Sequence, residues 1–528
     1  MDSFKEYTVA SVIDYFAGKF PDKTAFMCEG NEITYGQIKD RYLRLTEGLK
    51  NLGVGKGDKI AIWAPNSIEW ILIQLSVAYL GAVLVPINTR HRSTELEYTL
   101  KQSDATTFFL AKEFGANFLD IFTGICPEIE KSVPGNLSSE KFPLLKNVVS
   151  LGGWSHPGMI RYEDIESDHP STIAPESGPD DVVLIQYTSG TTGPPKGAML
   201  SQGQTVQNAY CVAGRMELVD DDIILCSVPF GHVGGTVMST LMTLVAGASM
   251  IIQPYFKEDE AMEYIEKYKV TVFNGLETFF ITIFNHPRFG EFNLSSLRTG
   301  WSSGKAETFH KIIEKMGVKK ICNLFGMSET SPNTAISLPS DSPEIRATTN
   351  GIPHEGLEVK ISDLETGETL PVDEIGEICV RGWAVMQGYY KMPEETAKAI
   401  DSERWLHTGD LGAFNKDGYL LFKGRFKDLI RVGGENVSPW EVENLMLTHP
   451  AVNEVSIIGI KDDRLVEVCA AAVQLKQGAS CSAEEIIEFC RGKMASFKIP
   501  KKVKIVEEFP MTESGKVQKF KLQELFKN

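Results

Sequence analysis

Three observations predict an α/β fold built from several packing units. Helical and strand periods alternate along the first half of the chain, and the strand candidates are continuous apolar runs. With 528 residues and 42% apolar content, the chain also exceeds what one hydrophobic core accommodates. Ile38, Tyr42, Leu45, Leu49 and Leu52 recur at spacings of four and three, which gives one helix an apolar face, and Lys59 to Trp63 then reads as a buried strand. The same alternation returns at Ile68 to Leu80 followed by Ala82 to Ile87, and at Thr236 to Val245 followed by Ala248 to Gln253, the pattern of parallel strands joined by covering helices. Ile68 to Val85 is apolar enough to suggest a membrane span. Glu69, Gln74 and Ser76 interrupt it and Gly81 divides it, so a buried helix, a turn and a strand are expected instead. Polar stretches at Ser132 to Lys141 and Ser167 to Asp181 read as surface loops. After about residue 345, short Gly-punctuated strands such as Gly376 to Arg381 and Tyr419 to Lys423 predict an antiparallel or barrel-like subdomain.

The formal net charge is −17, yet residues 428–528 carry 14 Lys and Arg against 15 Asp and Glu, so a small, nearly neutral C-terminal domain is expected. Lys498, Lys501, Lys502 and Lys504 could face a polyanion there, although a solvated face is the simpler reading. An acidic chain has no broad basic face, which argues against a general nucleic-acid binder and requires any polyanionic ligand to meet a local cationic pocket. Nine scattered cysteines show no metal-ligand spacing and read as reduced thiols. The N-terminus lacks a secretory layout and the C-terminus is not a peroxisomal tripeptide, so a cytoplasmic protein without a transmembrane segment is expected. Oligomerisation has no sequence signature here.

The most informative stretch is Tyr187-Thr188-Ser189-Gly190-Thr191-Thr192-Gly193-Pro194-Pro195-Lys196-Gly197, which follows a strand candidate at Val182 to Ile185. Its glycines let backbone N–H groups approach phosphate oxygens, its hydroxyls donate hydrogen bonds, and Lys196 adds a point charge, so the loop suits a triphosphate. Ser201-x-x-Gln204 behind it reads as a capping box that starts a helix. The Gly-x-x-x-x-Gly-Lys-Ser/Thr of a P-loop is absent, both here and at Gly515-Lys516-Val517.

The loop resembles the signature of the adenylate-forming superfamily, and further motifs extend the likeness over essentially the whole chain. They are Phe325-Gly326-Met327-Ser328-Glu329, Gly351-Ile352-Pro353, His407-Thr408-Gly409-Asp410, Gly424-Arg425-Phe426-Lys427-Asp428, Gly433-Gly434-Glu435-Asn436 and Thr512-Glu513-Ser514-Gly515-Lys516. The chain is similar to the acyl-CoA synthetase branch. That resemblance implies an N-terminal adenylation region, 1–426, with two α/β sheets and a small β-barrel, and a mobile α+β C-terminal domain, 427–528, with its hinge near Lys427.

The resemblance also assigns roles. Thr188, Ser189, Gly190, Thr191, Thr192, Lys196, Gly304, Phe325, Ser328, Asp410, Arg425 and Arg431 would bind ATP, with Phe325 stacking on adenine and Asp410 accepting from the ribose hydroxyls. Glu329 would hold Mg2+, and Lys516 would stabilise charge on the α-phosphate. Gly433 and Gly434 would line the path of CoA. His232, in Val228-Pro229-Phe230-Gly231-His232-Val233-Gly234-Gly235, would stand beside the acyl pocket and the incoming thiol, with Trp301 and Ser303 on another wall. Taken alone, Glu329, Asp410 and Arg425 would read as solvated charges, Phe325 and His232 as core, and Lys516 as a tail lysine.

Adenylation domains that load amino acids present an aspartate near His232, and this stretch has none, so a carboxylic acid without an α-amine fits better. Trp301-Ser302-Ser303-Gly304-Lys305-Ala306 departs from the Ser-Gly-Ala-Ala-Pro of many relatives, and its bulk favours a small-chain, medium-chain or aromatic acid. The expected reaction is ATP-dependent acid–CoA ligation with release of AMP and pyrophosphate. The competing readings are a ligase that loads a carrier-protein thiol, a luciferase-like oxidation and a non-catalytic nucleotide-binding regulator.

Overall fold

The computed structural model describes residues 6–188, 194–432, 435–462, 464–511 and 517–526. The chain divides into two compact units, Met1–Glu358 with Val380–Leu406, and Val359–Cys379 with His407–Asn528.

The first unit contains two large sheets. One has seven strands in the order Ile160–Arg161, Asn147–Leu151, Ala105–Ala111, Lys59–Trp63, Val83–Pro86, Val182–Thr188 and Lys196–Ser201. All its neighbours are parallel except the last pair, an antiparallel hairpin. The other has nine strands, with a parallel centre of Lys320–Gly326, Thr299–Ser302, Val272–Asn274, Ile223–Cys226, Ser249–Ile252 and Thr24–Cys28 and antiparallel strands at both ends.

The helices form where the apolar spacing places them. Tyr35–Asn51 buries Ile38, Tyr42, Leu45 and Leu49, and a reciprocal capping box between Thr34 and Gln37 starts it. The apolar run at 68 becomes the helix Ile68–Tyr79, a turn at Gly81 with φ of +66°, and the strand Val83–Pro86. Its four strand residues are all buried, so the run is core. Among the described residues no helix is long and apolar enough to cross a membrane. Ser201 and Gln204 form the expected capping box ahead of Gln202–Arg215. All nine cysteines are free thiols.

The segment expected to form a small barrel is a four-stranded sheet in the order Leu357–Ser362, Gly376–Gly382, Leu406–Phe414 and Leu420–Arg425. In the second unit a further sheet orders Glu435–Val437, Ile430–Val432, Val466–Leu475 and Val452–Asp462, with Lys502–Ile505 pairing in parallel to Val466–Leu475. The period-two alternation of Val466–Leu475 serves two cores. Cys469, Ala471 and Val473 pack with Val442, Met446 and Ile486, while Ala470 and Ala472 pack with Leu522 and Phe526. Two of the four C-terminal lysines are committed within this unit, Lys498 to Glu441 at 2.6 Å and Lys504 to the Leu525 carbonyl.

Candidate active site

The Val182–Thr188 strand turns back as Lys196–Ser201, and Thr188 stands opposite Lys196 at the foot of the hairpin. Thr188 Oγ1 donates to the Lys196 carbonyl at 3.4 Å, and Tyr98 OH donates to the Pro195 carbonyl at 2.9 Å. Gly197 has no room for a side chain, since a Cβ there would lie 2.6 Å from Ile185. Lys196 reaches out of the hairpin foot to ion-pair with Glu395, and its ammonium lies 5.2 Å from the centre of the Tyr389 ring. Hydrogen bonds from Lys196 and Lys398 hold the Glu395 carboxyl down to about 2.

The hydroxyl end of Tyr389 leads to Glu329. Tyr389 OH donates to Glu329 Oε1 at 2.9 Å. Burial, then the Glu329 charge, pushes the phenol up, so it stays protonated and donates. Tyr389 is held by backbone pairing: Gln387 N donates to the Met199 carbonyl and Met199 N to the Gly388 carbonyl, both at 2.9 Å, and Tyr390 N donates to the Gly197 carbonyl at 2.8 Å. Glu329, only 6% exposed, sits in the tight turn Ser328–Thr330, and its carbonyl accepts from Met386 N at 2.9 Å. One short segment, 386–390, thus ties the hairpin foot to the Glu329 turn and brings Lys196 and Glu329 to one tyrosine, the ammonium near its ring and the carboxylate at its hydroxyl.

The Glu329 turn has its own support. Phe325 is the penultimate residue of the strand Lys320–Gly326 and is buried, and the strand ends at Gly326, where a Cβ would meet the Pro332 carbonyl at 2.0 Å. Asn333 Nδ2 donates to the Phe325 and Ala335 carbonyls, both at 3.2 Å, which fixes the amide so that Oδ1 faces His354 Nε2 at 2.6 Å. His354 must therefore carry its proton on Nε2. Asn208 Nδ2 donates to the Thr330 and Asn333 carbonyls.

Burial lowers the His354 imidazole from 6.5 to about 3. Between those values the unfolded chain binds a proton that the folded chain refuses, so stability falls as pH drops through that window, by at most about 1.4 kcal/mol per pH unit. His354→Gln is expected to be less stable than the natural chain at neutral pH, with the gap narrowing as pH falls below about 6.5. Denaturant titrations at several pH values measure this, and a gap that stays constant or widens would contradict the assignment.

His232 is exposed and heads the short turn Val233–Gly235, which removes the core reading. The loop is pinned from two sides: Asn66 Oδ1 accepts from Phe230 N at 2.7 Å, and Gln186, on the strand that leads to the phosphate loop, donates to the Gly231 carbonyl at 3.1 Å. The following Thr236–Leu241 is a π-helical turn, because Ser239 and Thr240 hydroxyls reach carbonyls five residues back, at 2.8 and 2.9 Å. Trp301 is buried against it, with Nε1 donating to the Met238 carbonyl at 3.3 Å and its ring 3.7 Å from where a Gly234 Cβ would stand. Ser303 and Gly304 are exposed at the next turn, where Glu277 Oε1 accepts from Lys305 N and Thr308 Oγ1.

In the second unit Asp410 is 3% exposed and pairs across the sheet with Arg425, whose Nε lies 3.0 Å from Asp410 Oδ1. Thr408 Oγ1 accepts from Asp410 N and donates to the Ile378 carbonyl, so the turn before Asp410 is fixed. Lys427 lies in the turn Phe426–Asp428, and Arg431 is exposed on the strand Ile430–Val432. Ser189, Gly190, Thr191, Thr192, Gly433, Gly434 and Lys516 lie outside the described residues. Within the first unit the structure therefore brings together Lys196 with Glu329 through Tyr389, and His232 with Trp301. Within the second it joins Asp410 to Arg425.

Sequence reasoning missed Tyr389, Glu395, Asn208, Asn333 and His354. The Gly388-Tyr389-Tyr390 run was the available signal for Tyr389, since a glycine before two aromatics marks a close backbone approach.

Comparison with known proteins gives a consistent answer. Residues 13–390 match the AMP-binding enzyme family, and residues 441–516 match the AMP-binding enzyme C-terminal domain. YngI of Bacillus subtilis (strain 168), an acyl-CoA synthetase by name, is 38% identical over 98% of this chain and 96% of its own. The mitochondrial medium-chain acyl-CoA ligase ACSF2 of Mus musculus is 36% identical over 98% of this chain and 87% of its own. Among solved structures, the anthranilate CoA ligase AuaEII in complex with anthranoyl-AMP superposes with a TM-score of 0.88 at 28% identity, covering 98% of this chain and 97% of that one. ATP-bound MatB from Rhodopseudomonas palustris gives 0.86 at 28% identity, covering 98% and 99%.

Proposed function

Since the chain belongs to the AMP-binding enzyme family and is an acyl-CoA ligase within it, we propose that it activates a medium-chain or aromatic carboxylic acid in two steps. In the first, a carboxylate oxygen attacks the α-phosphorus of ATP, the bond to the bridging oxygen breaks, and pyrophosphate leaves. In the second, the thiolate of CoA attacks the acyl carbonyl and AMP leaves with the electron pair. A carboxylate is a poor acyl donor, and the adenylate supplies the stable leaving group that a thiol can displace.

What supports ATP chemistry at this place is the pairing of Lys196 and Glu329 about Tyr389 at the foot of the phosphate hairpin. Lys196 would exchange its Glu395 partner for a phosphate oxygen, and the remaining hairpin hydroxyls and N–H groups would cradle the chain of phosphates. A single buried carboxylate beside the Ser328 hydroxyl suits Mg2+, which takes one or two carboxylates together with phosphates and water, so Glu329 and Ser328 fit that ion. Bound there, Mg2+ would offset phosphate charge. Asp410 and Arg425 would orient the ribose, and Phe325 the adenine. His232 would stand at the acyl carbonyl. Lys516 would meet the α-phosphate charge in the first step, and a rotation at Lys427 between 1–426 and 427–528 would then bring Gly433 and Gly434 to the CoA arm. Nine free thiols support a reducing compartment, and we place the protein in the cytoplasm.

The size of the acid is set, in this reading, by Trp301. Its indole packs beside the π-helical turn and the side-chain-free Gly234, and in that position its bulk would shorten the space open to an acyl chain. Trp301→Leu is expected to move the preferred acid to longer chains, with kcat/KM for the longest acids rising by roughly 10-fold or more. Competition between acids of increasing length in one reaction measures this, and an unchanged length profile would remove Trp301 from the pocket.

A further inference from the structure

Outside the machinery above, three side chains of the second unit converge on one point. Glu377 and Cys379 are two residues apart on the strand Gly376–Gly382 and so share a face, and His407 begins the motif on the adjacent strand Leu406–Phe414. Glu377 Oε2 lies 2.7 Å from His407 Nδ1, Cys379 Sγ lies 3.6 Å from the same nitrogen, and Sγ and Oε2 are 3.9 Å apart. Among the described residues this is the one grouping of three such side chains whose ligand atoms lie within 4.8 Å of one another.

The arrangement is not a nucleophile relay. A thiol, imidazole and carboxylate relay needs the acid and the thiol on opposite ring nitrogens, and here both address Nδ1. Shared approach to one nitrogen is what chelation needs. Bonds of about 2.3 Å to sulfur and 2.0–2.2 Å to nitrogen and oxygen put the donor atoms of a tetrahedral zinc about 3.3–3.6 Å apart. The Cys379 to His407 spacing already meets that value, and the other two come within about 0.7 Å of it. Cys379 is fully buried, while the side chains of His407 and Glu377 are 36% and 18% exposed, so an ion could enter from the His407 side and keep one water. Glu377 Oε1 is already occupied, accepting from Gly409 N at 2.9 Å, which orients the carboxylate toward the site.

We propose that Glu377, Cys379 and His407 form a binding site for a borderline-soft divalent cation, with zinc the best match to one nitrogen, one sulfur and one oxygen donor. Binding replaces the thiol proton by the metal–sulfur bond and releases that proton to solvent. The site is distinct from the Mg2+ position at Glu329, because a thiolate selects against a hard cation.

The test uses the full chain and two probes, Co2+ read by its absorption and Zn2+ read by competition with a chromophoric chelator. One equivalent of Co2+ is expected to bind with a thiolate-to-cobalt charge-transfer band, which Zn2+ displaces and excess Mg2+ does not. Cys379→Ser should abolish the band and His407→Gln should weaken Zn2+ binding at least about tenfold, with circular dichroism confirming that both variants are folded. Cys481→Ser, which removes the thiol 4.0 Å from His449 Nε2, should leave both readouts unchanged. No thiolate band in the natural chain, a band that survives in Cys379→Ser or disappears in Cys481→Ser, or displacement by Mg2+ would each overturn the proposal.

Discussion

Glu329→Gln is expected to lower the rate of acyl-adenylate formation by about 10²–10³-fold, the usual cost of removing one group that meets charge in the transition state. The substitution is nearly isosteric. The glutamine amide oxygen can still accept from Tyr389 OH and the backbone bond from Met386 N is untouched, so the turn should hold its shape while the charge is lost. The deficit should therefore appear in both kcat and the Mg2+ concentration needed for half-maximal rate. Tyr389→Phe provides a graded companion. It removes one hydrogen bond to a charged group, typically about 1.5–3 kcal/mol, and should raise the Mg2+ requirement by roughly 10-fold or more with a smaller loss in kcat. Pyrophosphate release at saturating acid, repeated across Mg2+ concentrations, measures both variants. A Glu329→Gln enzyme with an unchanged Mg2+ requirement would show that this carboxylate does not hold the ion.

The second large effect is expected at Lys516. Lys516→Ala should suppress adenylate formation by about 10²–10³-fold while leaving thiolysis of a supplied acyl adenylate close to the natural rate. The charge that Lys516 would meet develops on the α-phosphate as pyrophosphate leaves. In the second step charge returns to the α-phosphate as AMP leaves, but in the proposed cycle the rotation at Lys427 has by then exchanged Lys516 for Gly433 and Gly434, so the lysine no longer meets that charge. Measuring the two half-reactions separately, pyrophosphate release for the first and acyl-CoA formation from synthetic adenylate for the second, separates them. Equal losses in both would contradict the assignment.

Much of this fold was legible where information is local. The Tyr35–Asn51 and Ile68–Tyr79 helices declare themselves by apolar spacing, the helix at Gln202 by its capping box, and the strand Lys59–Trp63 by an apolar run between turn residues. The motif residues were legible for the same reason, because each motif is a short contiguous string. Contacts between distant residues were not. Tyr389 meets Glu329 across 60 positions and Asn208 meets Asn333 across 125, and nothing in the intervening sequence encodes either approach. The Thr236–Leu241 turn read as an ordinary helix, since the hydroxyl bonds of Ser239 and Thr240 that widen it depend on side-chain orientation rather than on hydrophobic period. Glu377, Cys379 and His407 escaped for a further reason: metal-ligand spacing rules describe ligands close in sequence, whereas His407 comes from a neighbouring strand some 30 positions on.

Ligase activity is tested most directly by product formation by the purified protein with ATP, Mg2+ and CoA, offered short-chain, medium-chain, long-chain and aromatic acids in parallel. The proposed ligase function predicts acyl-CoA, AMP and pyrophosphate in equal amounts, with medium-chain or aromatic acids turned over fastest and no acyl-CoA when ATP is omitted. Pyrophosphate release that does not respond to CoA, or a rate that climbs steadily through the longest acids, would contradict it.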